Sequence, residues 1–323
     1  MNMRSIFSFL AVTLALTLAV TVADADAAKQ WPSKSIQMVV PFSAGGDSDF
    51  NARTYARYME KELGQTIVVV NVAGAGGAIG SLQVKESKPD GYTLLLADVG
   101  LAINEAAGVS DFSYAAFEVA NVCGKNPGEF ITVSKDLPVN TIPELIALTK
   151  KEPNKYKLAA NTGATTHYVA SVMRKLGAQF NVVNSGSSSE RVAALAGKHV
   201  DVICNAMGTI KSYVQNGDFK VIANTATKRA ELFPDIPTCL DQGVDLSYDN
   251  HYSMLFPKGT PADILAKFNA AAKNASQNPE YREAIAKAFG QSPFFAEGDA
   301  AIQLLKADRD RFMAFKDEFS TGK

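Results

Sequence analysis

Four short runs of small and polar residues are the places where this chain could hold a ligand: Ser43 to Asp49, Ala73 to Gly77, Asn161 to Thr166 and Ser185 to Ser189. Each follows a β-branched stretch and leads into an amphipathic one, the position of a loop between a strand end and a helix start. Backbone N–H groups at a helix start lack intrahelical acceptors, and the helix dipole there favours negative charge. Such loops bind a carboxylate without any Lys or Arg. One alone could equally be an ordinary turn, because turns favour the same residues. Four of them, divided between two halves of a chain, point to a cleft that receives a small ligand.

Catalytic and cofactor patterns are not found. The glycine run Gly74-Ala75-Gly76-Gly77-Ala78-Ile79-Gly80 follows a strand and opens a helix, as a dinucleotide site would, but its third required glycine falls at Ile79. There is no GxxxxGK[ST], HExxH or GxSxG pattern. His167, His199 and His251 stand singly, with no metal-ligand spacing. A binding protein without enzyme activity, cofactor or metal is expected. The alternative is a secreted α/β hydrolase that uses Asp49 and His167, or a solute sensor serving signalling.

The elements that must position these loops are legible from periodicity. Strands are expected at Ile36 to Val40, Ile67 to Val70 and Tyr92 to Leu96, with helices over Asp49 to Leu63 and Ala78 to Glu86 between them. Asp47 or Ser48 could cap the first helix, whose apolar positions are Ala52, Ala56, Met59 and Leu63. The same grammar returns from Phe130: strands at Phe130 to Val133, Lys157 to Ala160, Phe180 to Val183, Val200 to Cys204 and Phe219 to Asn224, and helices at His167 to Leu176 and Ser189 to Ala196. From Pro261 the text is largely helical. This predicts an α/β fold of two lobes, each a mostly parallel sheet flanked by helices. The first lobe is read as 29–127 plus 255–323 and the second as 128–254, with the ligand cleft between them.

With 32 basic and 33 acidic side chains in 323 residues, the chain lacks the basic excess of a nucleic-acid binder. Arg4, the uncharged run Ile6 to Val22 and the small-residue sites at Ala23 to Ala27 form a signal-peptide pattern, read as cleaved from residues 1–27. A membrane anchor is the competing reading, since the run is near the lower length for spanning. No Cys follows the run, so no lipid anchor is expected and the product is expected to be extracytoplasmic. Cys123, Cys204 and Cys239 are an odd number without CxxC spacing, which leaves at most one disulfide.

Pro32 to Asp49, with PFSAGGDSD at its end, resembles the opening of the solute-binding proteins of tripartite tricarboxylate transporters, the Bug family. The resemblance continues through Asn71 to Gly80 (NVAGAGGAIG), Pro89 to Leu95 (PDGYTLL), Gly197 to Val202 (GKHVDV), Phe233 to Thr238 (FPDIPT), Gly243 and Phe256 to Pro261 (FPKGTP). It implies a monomeric periplasmic Venus-flytrap protein that captures a small organic acid and delivers it to membrane permease subunits. Carried over by position, it implies ligand contacts at Ser43, Ala44, Gly45, Gly46 and Asp49, to which Asp47, a residue of this chain's own beside the same loop, is added as a candidate. In the second lobe it implies Gly163, Ala164, Thr165, Thr166 and His167, together with Asn205, which stands where many members have Asp.

Two departures bear on the ligand. Many members read Tyr-Lys-Gly where this chain has Ser185-Gly186-Ser187, and Asp47 replaces a small neutral residue. No Lys or Arg lies in the four loops, so the anion would be held by backbone dipoles and hydroxyls. A desolvated carboxylate without a partner costs several kcal/mol, and a mono- or dicarboxylate is therefore expected over a tricarboxylate.

Overall fold

The structure, a computed structural model, describes residues 31–320. The leader read at 1–27 lies outside the described residues, as do the lobe start at 29 and residues 321–323. Strands β1 (Ile36–Val40), β2 (Ile67–Asn71) and β3 (Thr93–Ala97) run parallel, joined by helices α1 (Asp47–Leu63) and α2 (Ala78–Lys85). Parallel neighbours need crossovers of this kind, and the helices cover the sheet faces that the apolar strand residues would otherwise expose. Helix α3 (Gly100–Ala106) and strand β4 (Phe117–Asn126) follow.

A second sheet is built from β5 (Phe130–Ser134), β6 (Lys157–Ala160), β7 (Asn181–Asn184), β8 (Val202–Asn205) and β9 (Phe219–Asn224). Interleaved with them are α4 (Ile142–Lys151), α5 (Thr165–Lys175), α6 (Ser188–Ala196) and α7 (Met207–Gln215). The chain then returns as β10 (Asn250–Pro257), α8 (Ala262–Gln277), α9 (Pro279–Phe289), β11 (Ala296–Glu297), α10 (Gly298–Met313) and α11 (Lys316–Ser320). Spatial order is β11-β4-β10-β3-β1-β2 in the first sheet and β7-β6-β8-β5-β9 in the second.

The two-lobed α/β architecture is the expected one, but both sheets are mixed rather than mostly parallel. In the first, β10 is antiparallel to β3 and β4, and β11 is antiparallel to β4. In the second, β5 runs against β8 and β9 while β6, β7 and β8 are parallel. The reversal follows from the route: β10 enters the first sheet from the second lobe. It is buried along its whole length although Asn250, His251 and Ser253 interrupt its apolar pattern, which is why periodicity passes over it. Asn250 to Met254, read from sequence as the end of the second lobe, pair in the first sheet.

The C-terminal helices tie the lobes together. Arg309 of α10 makes a two-pronged ion pair with Glu105 of α3 at 2.6 and 2.7 Å. Beyond it, Phe312, Phe315 and Phe319 enclose Tyr168 of α5 at ring distances of 5.0, 5.1 and 6.3 Å. Such aromatic pairs add about 0.5–1.5 kcal/mol each beyond simple burial. Cys123, Cys204 and Cys239 are buried free thiols in the cores, behaving as small apolar side chains.

Candidate functional site

A polar cavity, partly open to solvent, lies between the two sheets. Its walls are strand C-terminal ends and the helix starts that follow, the usual ligand position in open α/β sheets. Gly46, Asp47, Ser48 and Asp49 come from the start of α1, Ala164 and Thr165 from α5, and Ser187 and Ser188 from α6. Three helix starts, one from the first lobe and two from the second, thus face one space. The first N–H groups of each have no acceptor within their own helix.

The charged groups are less evenly distributed. Asp47 is not a helix cap: Gly46 caps α1, and the Asp47 carboxylate accepts from Tyr252 Oη at 2.6 Å and Ser188 Oγ at 3.2 Å. Asp49 is a structural group. It accepts from Gly45 N at 3.0 Å and Asn71 Nδ2 at 3.0 Å, and pairs with Arg53 at 2.9 Å. Burial opposes its ionisation, but the hydrogen bonds from Arg53, Gly45 and Asn71 hold its carboxyl below the usual range.

Sequence reasoning missed three groups here. Asp98, just beyond β3, accepts from Gly100 N at 2.8 Å, and burial together with Asp47 and Glu129 pushes its pKa up to about 7. Glu129 stands at the crossing between the sheets and accepts from Tyr248 Oη at 2.9 Å and Thr165 Oγ1 at 3.1 Å. Burial raises its pKa, with Arg191 opposing.

Arg191 itself corrects the expectation of a cleft without a cation. It lies two residues past the fourth loop, on the first turns of α6, and its guanidinium is buried at the cavity wall. Its Nη1 donates to Gly186 O at 2.9 Å and its Nη2 to Ser188 Oγ at 3.2 Å. Its Nε donates to Asn205 Oδ1 at 2.9 Å. Counting one further turn into each helix after a loop would have found it, because a residue at that offset still faces the helix start.

Of the other expected site residues, Ser43, Gly46, Asp47, Asp49, Ala164 and Thr165 border the cavity. Ala44 and Gly45 lie on the exposed outer side of the first loop. Thr166 Oγ1 accepts from Asn161 N at 2.9 Å and shapes the third loop. Gly163 faces Gly76 of the other lobe: a Cβ on Gly76 would lie 2.3 Å from Thr162 O and 2.9 Å from the Gly163 carbonyl carbon. His167 is outside the cavity lining; its Nδ1 accepts from Gly163 N at 3.2 Å and its ring packs 5.0 Å from Phe319. Asn205 is one layer back, where it orients Arg191. Among the described residues no group of three or more His, Cys, Asp or Glu could hold a metal ion, and no helix is long and apolar enough to cross a membrane.

Two α/β lobes enclosing a polar cavity at their helix starts define a two-lobed solute-binding protein. Residues 51–318 match the model of the tripartite tricarboxylate transporter family receptors, and the chain belongs to that family. It is 32% identical over 303 residues to the UPF0065 protein in the gbd 5'region of Cupriavidus necator, covering 91% of this chain and 89% of that one. The structure of the periplasmic binding protein BugD superposes with a TM-score of 0.83 at 29% identity, covering 90% of this chain and 98% of that one. MatC of Rhodopseudomonas palustris with bound malate has the same fold, with a TM-score of 0.80 at 23% identity over 88% of this chain and all of that one.

Proposed function

We propose that this protein is a periplasmic receptor that closes its two lobes on a small mono- or dicarboxylate and presents the closed form to the membrane subunits of a tripartite tricarboxylate-type permease. The observation that carries this reading is the convergence of three helix starts and Arg191, drawn from both lobes, on one cavity. A carboxylate placed there meets N–H dipoles and a guanidinium, and it gains those of both lobes only when the lobes are together. The ligand then shifts the population toward the closed form by its differential affinity. Ser43, Gly46, Asp47 and Thr165 are the expected contacts among the sequence-identified residues, with Arg191 added. The lobes 29–127 plus 255–323 and 128–254 move as bodies, with 250–254 travelling with the first.

Family membership, BugD's description as a periplasmic binding protein and the leader at 1–27 support export. The malate held by a protein of the same fold supports a carboxylate ligand. The hydrolase alternative is disfavoured because Asp49 borders the cavity without His167, and the Asp49 carboxylate is taken up by Arg53, Asn71 and Gly45. Titration calorimetry with mono-, di- and tricarboxylates, followed by chromatography of the recovered acid, tests the reading. One acid bound per chain and recovered unchanged is expected; turnover of the acid would contradict it.

A further inference from the structure

The third loop also forms a contact between the lobes. Gly76 packs against Thr162 O and the Gly163 backbone, and a Cβ on Gly163, which has φ +84, would lie 2.9 Å from Asn104 Oδ1. Asn104 in turn donates to Gly76 O at 2.8 Å and to Gly100 O at 3.0 Å. Thr162 and Gly163 thus face the first lobe, immediately before Ala164 and Thr165 at the cavity. Three backbone N–H groups fix the loop from within its own lobe. Asn161 N donates to Thr166 Oγ1 at 2.9 Å, Ala164 N to Asn161 O at 3.0 Å and Gly163 N to His167 Nδ1 at 3.2 Å. The hydroxyl and the carbonyl do not titrate near neutral pH, whereas an imidazole nitrogen accepts only when it carries no proton.

From this geometry we infer that His167 is a positioning residue: its neutral ring holds Gly163, and with it the face that closes on Gly76 and Asn104, and its protonation lets that face go. The surroundings favour the neutral ring. It is half-buried and packs 5.0 Å from Phe319, and burial, with Arg174 adding, lowers its pKa below the ordinary 6.5. The other charged side chains on the two helices around it are Lys175 of α5 and Lys316, Asp317 and Glu318 of α11. Lys175 pairs with Glu318 at 2.8 Å, and Arg174 donates to the Glu318 carbonyl. The loop itself carries no charge, and Glu105 of α3 is tied to Arg309. The bond is therefore complete above pH 6.5 and is lost as pH falls through the lowered value, when an Nδ1–H would face Gly163 N–H. Weaker capture in acid follows from it on the receptor reading above.

The test is amide hydrogen exchange of residues 161–166 in wild type, His167→Phe and His167→Asn, near pH 8 and near pH 5, corrected for the intrinsic pH dependence of exchange. His167→Phe keeps a ring against Phe319 without an acceptor; the Asn side-chain oxygen replaces Nδ1 and does not titrate. Asp98 is common to all three proteins and cancels in the comparison. Near pH 8 the Gly163 amide should exchange on the order of tenfold faster in His167→Phe than in the other two. Near pH 5 wild type should move toward His167→Phe while His167→Asn stays protected. Equal protection of wild type and His167→Phe near pH 8, or of wild type and His167→Asn at both values, overturns the inference. Any acid of the mono-, di- and tricarboxylate titration that binds wild type should bind His167→Phe about tenfold more weakly than His167→Asn near pH 8; equal affinities would overturn the role in capture. Should none of those acids bind wild type, the receptor reading fails, and the exchange comparison still decides His167.

Discussion

Ser188, at the start of α6 in the second lobe, donates its hydroxyl to Asp47, at the start of α1 in the first, at 3.2 Å. The bond joins two helix starts across the cavity, and Asp47 is in turn fastened to β10 by Tyr252. A buried hydrogen bond to a charged group contributes roughly 1.5–3 kcal/mol, so this contact favours the closed arrangement directly. Ser188→Ala should weaken ligand binding about tenfold or more and raise the radius of gyration of the ligand-free protein in small-angle scattering. An unchanged radius and affinity would show that the contact does not hold the lobes.

Gly76 tests closure without touching the cavity. It has φ +62, and a methyl group there would sit 2.3 Å from the Thr162 carbonyl of the facing lobe. Gly76→Ala is expected to keep each lobe folded, with nearly normal far-UV circular dichroism, while abolishing the ligand-induced compaction seen by scattering. The control is Gly46→Ala: Gly46 has ordinary φ and its added carbon would lie 3.7 Å from Ser188, so binding should persist. Gly46→Leu, by contrast, projects into the gap and should remove binding.

How much of this was legible in the residues is clearest from these loops. Ser43, Gly46, Asp47 and Thr165 could be placed at the cavity because a loop between an apolar strand and an amphipathic helix has a fixed position in an α/β layer. Arg191, one turn past the fourth loop, was within reach of the same argument, but Asp98 and Glu129 were not, because each lies outside the loops that composition singles out. Their meeting depends on β10 and on the crossing at Glu129, both set by tertiary packing. His167 illustrates the opposite error: its neighbours in sequence border the site, yet its own side chain turns toward Phe319.

Asp98 makes the ligand-free protein pH-dependent. Its ordinary value is 3.8 and its folded value about 7, so between them the folded state holds a proton that the unfolded state has released. Its stabilising contribution is complete below the lower value and is lost as pH rises to the higher one. Asp98→Asn should therefore match wild type near pH 4 and exceed it by on the order of 2 kcal/mol near pH 8 in urea denaturation. A parallel pair of stability curves would refute the assignment.

Arg191 and Glu129 are buried electrostatic partners. Arg191→Met alone leaves Glu129 uncompensated and should cost roughly 3–5 kcal/mol, with much of that loss recovered in Arg191→Met/Glu129→Gln. The double variant should still bind no carboxylate. Recovery of stability together with full affinity would show that Arg191 serves the fold alone.

The most direct measurement is mass spectrometry of whatever is released on denaturing protein purified natively from the cells that make it, in parallel with Gly46→Leu. A closed receptor retains its solute through purification. The expected result is a single small carboxylic acid, up to one per chain, that rebinds unchanged and is missing from Gly46→Leu. Protein that retains no acid, binds none when offered a broad set and shows no compaction with any would contradict a carboxylate receptor.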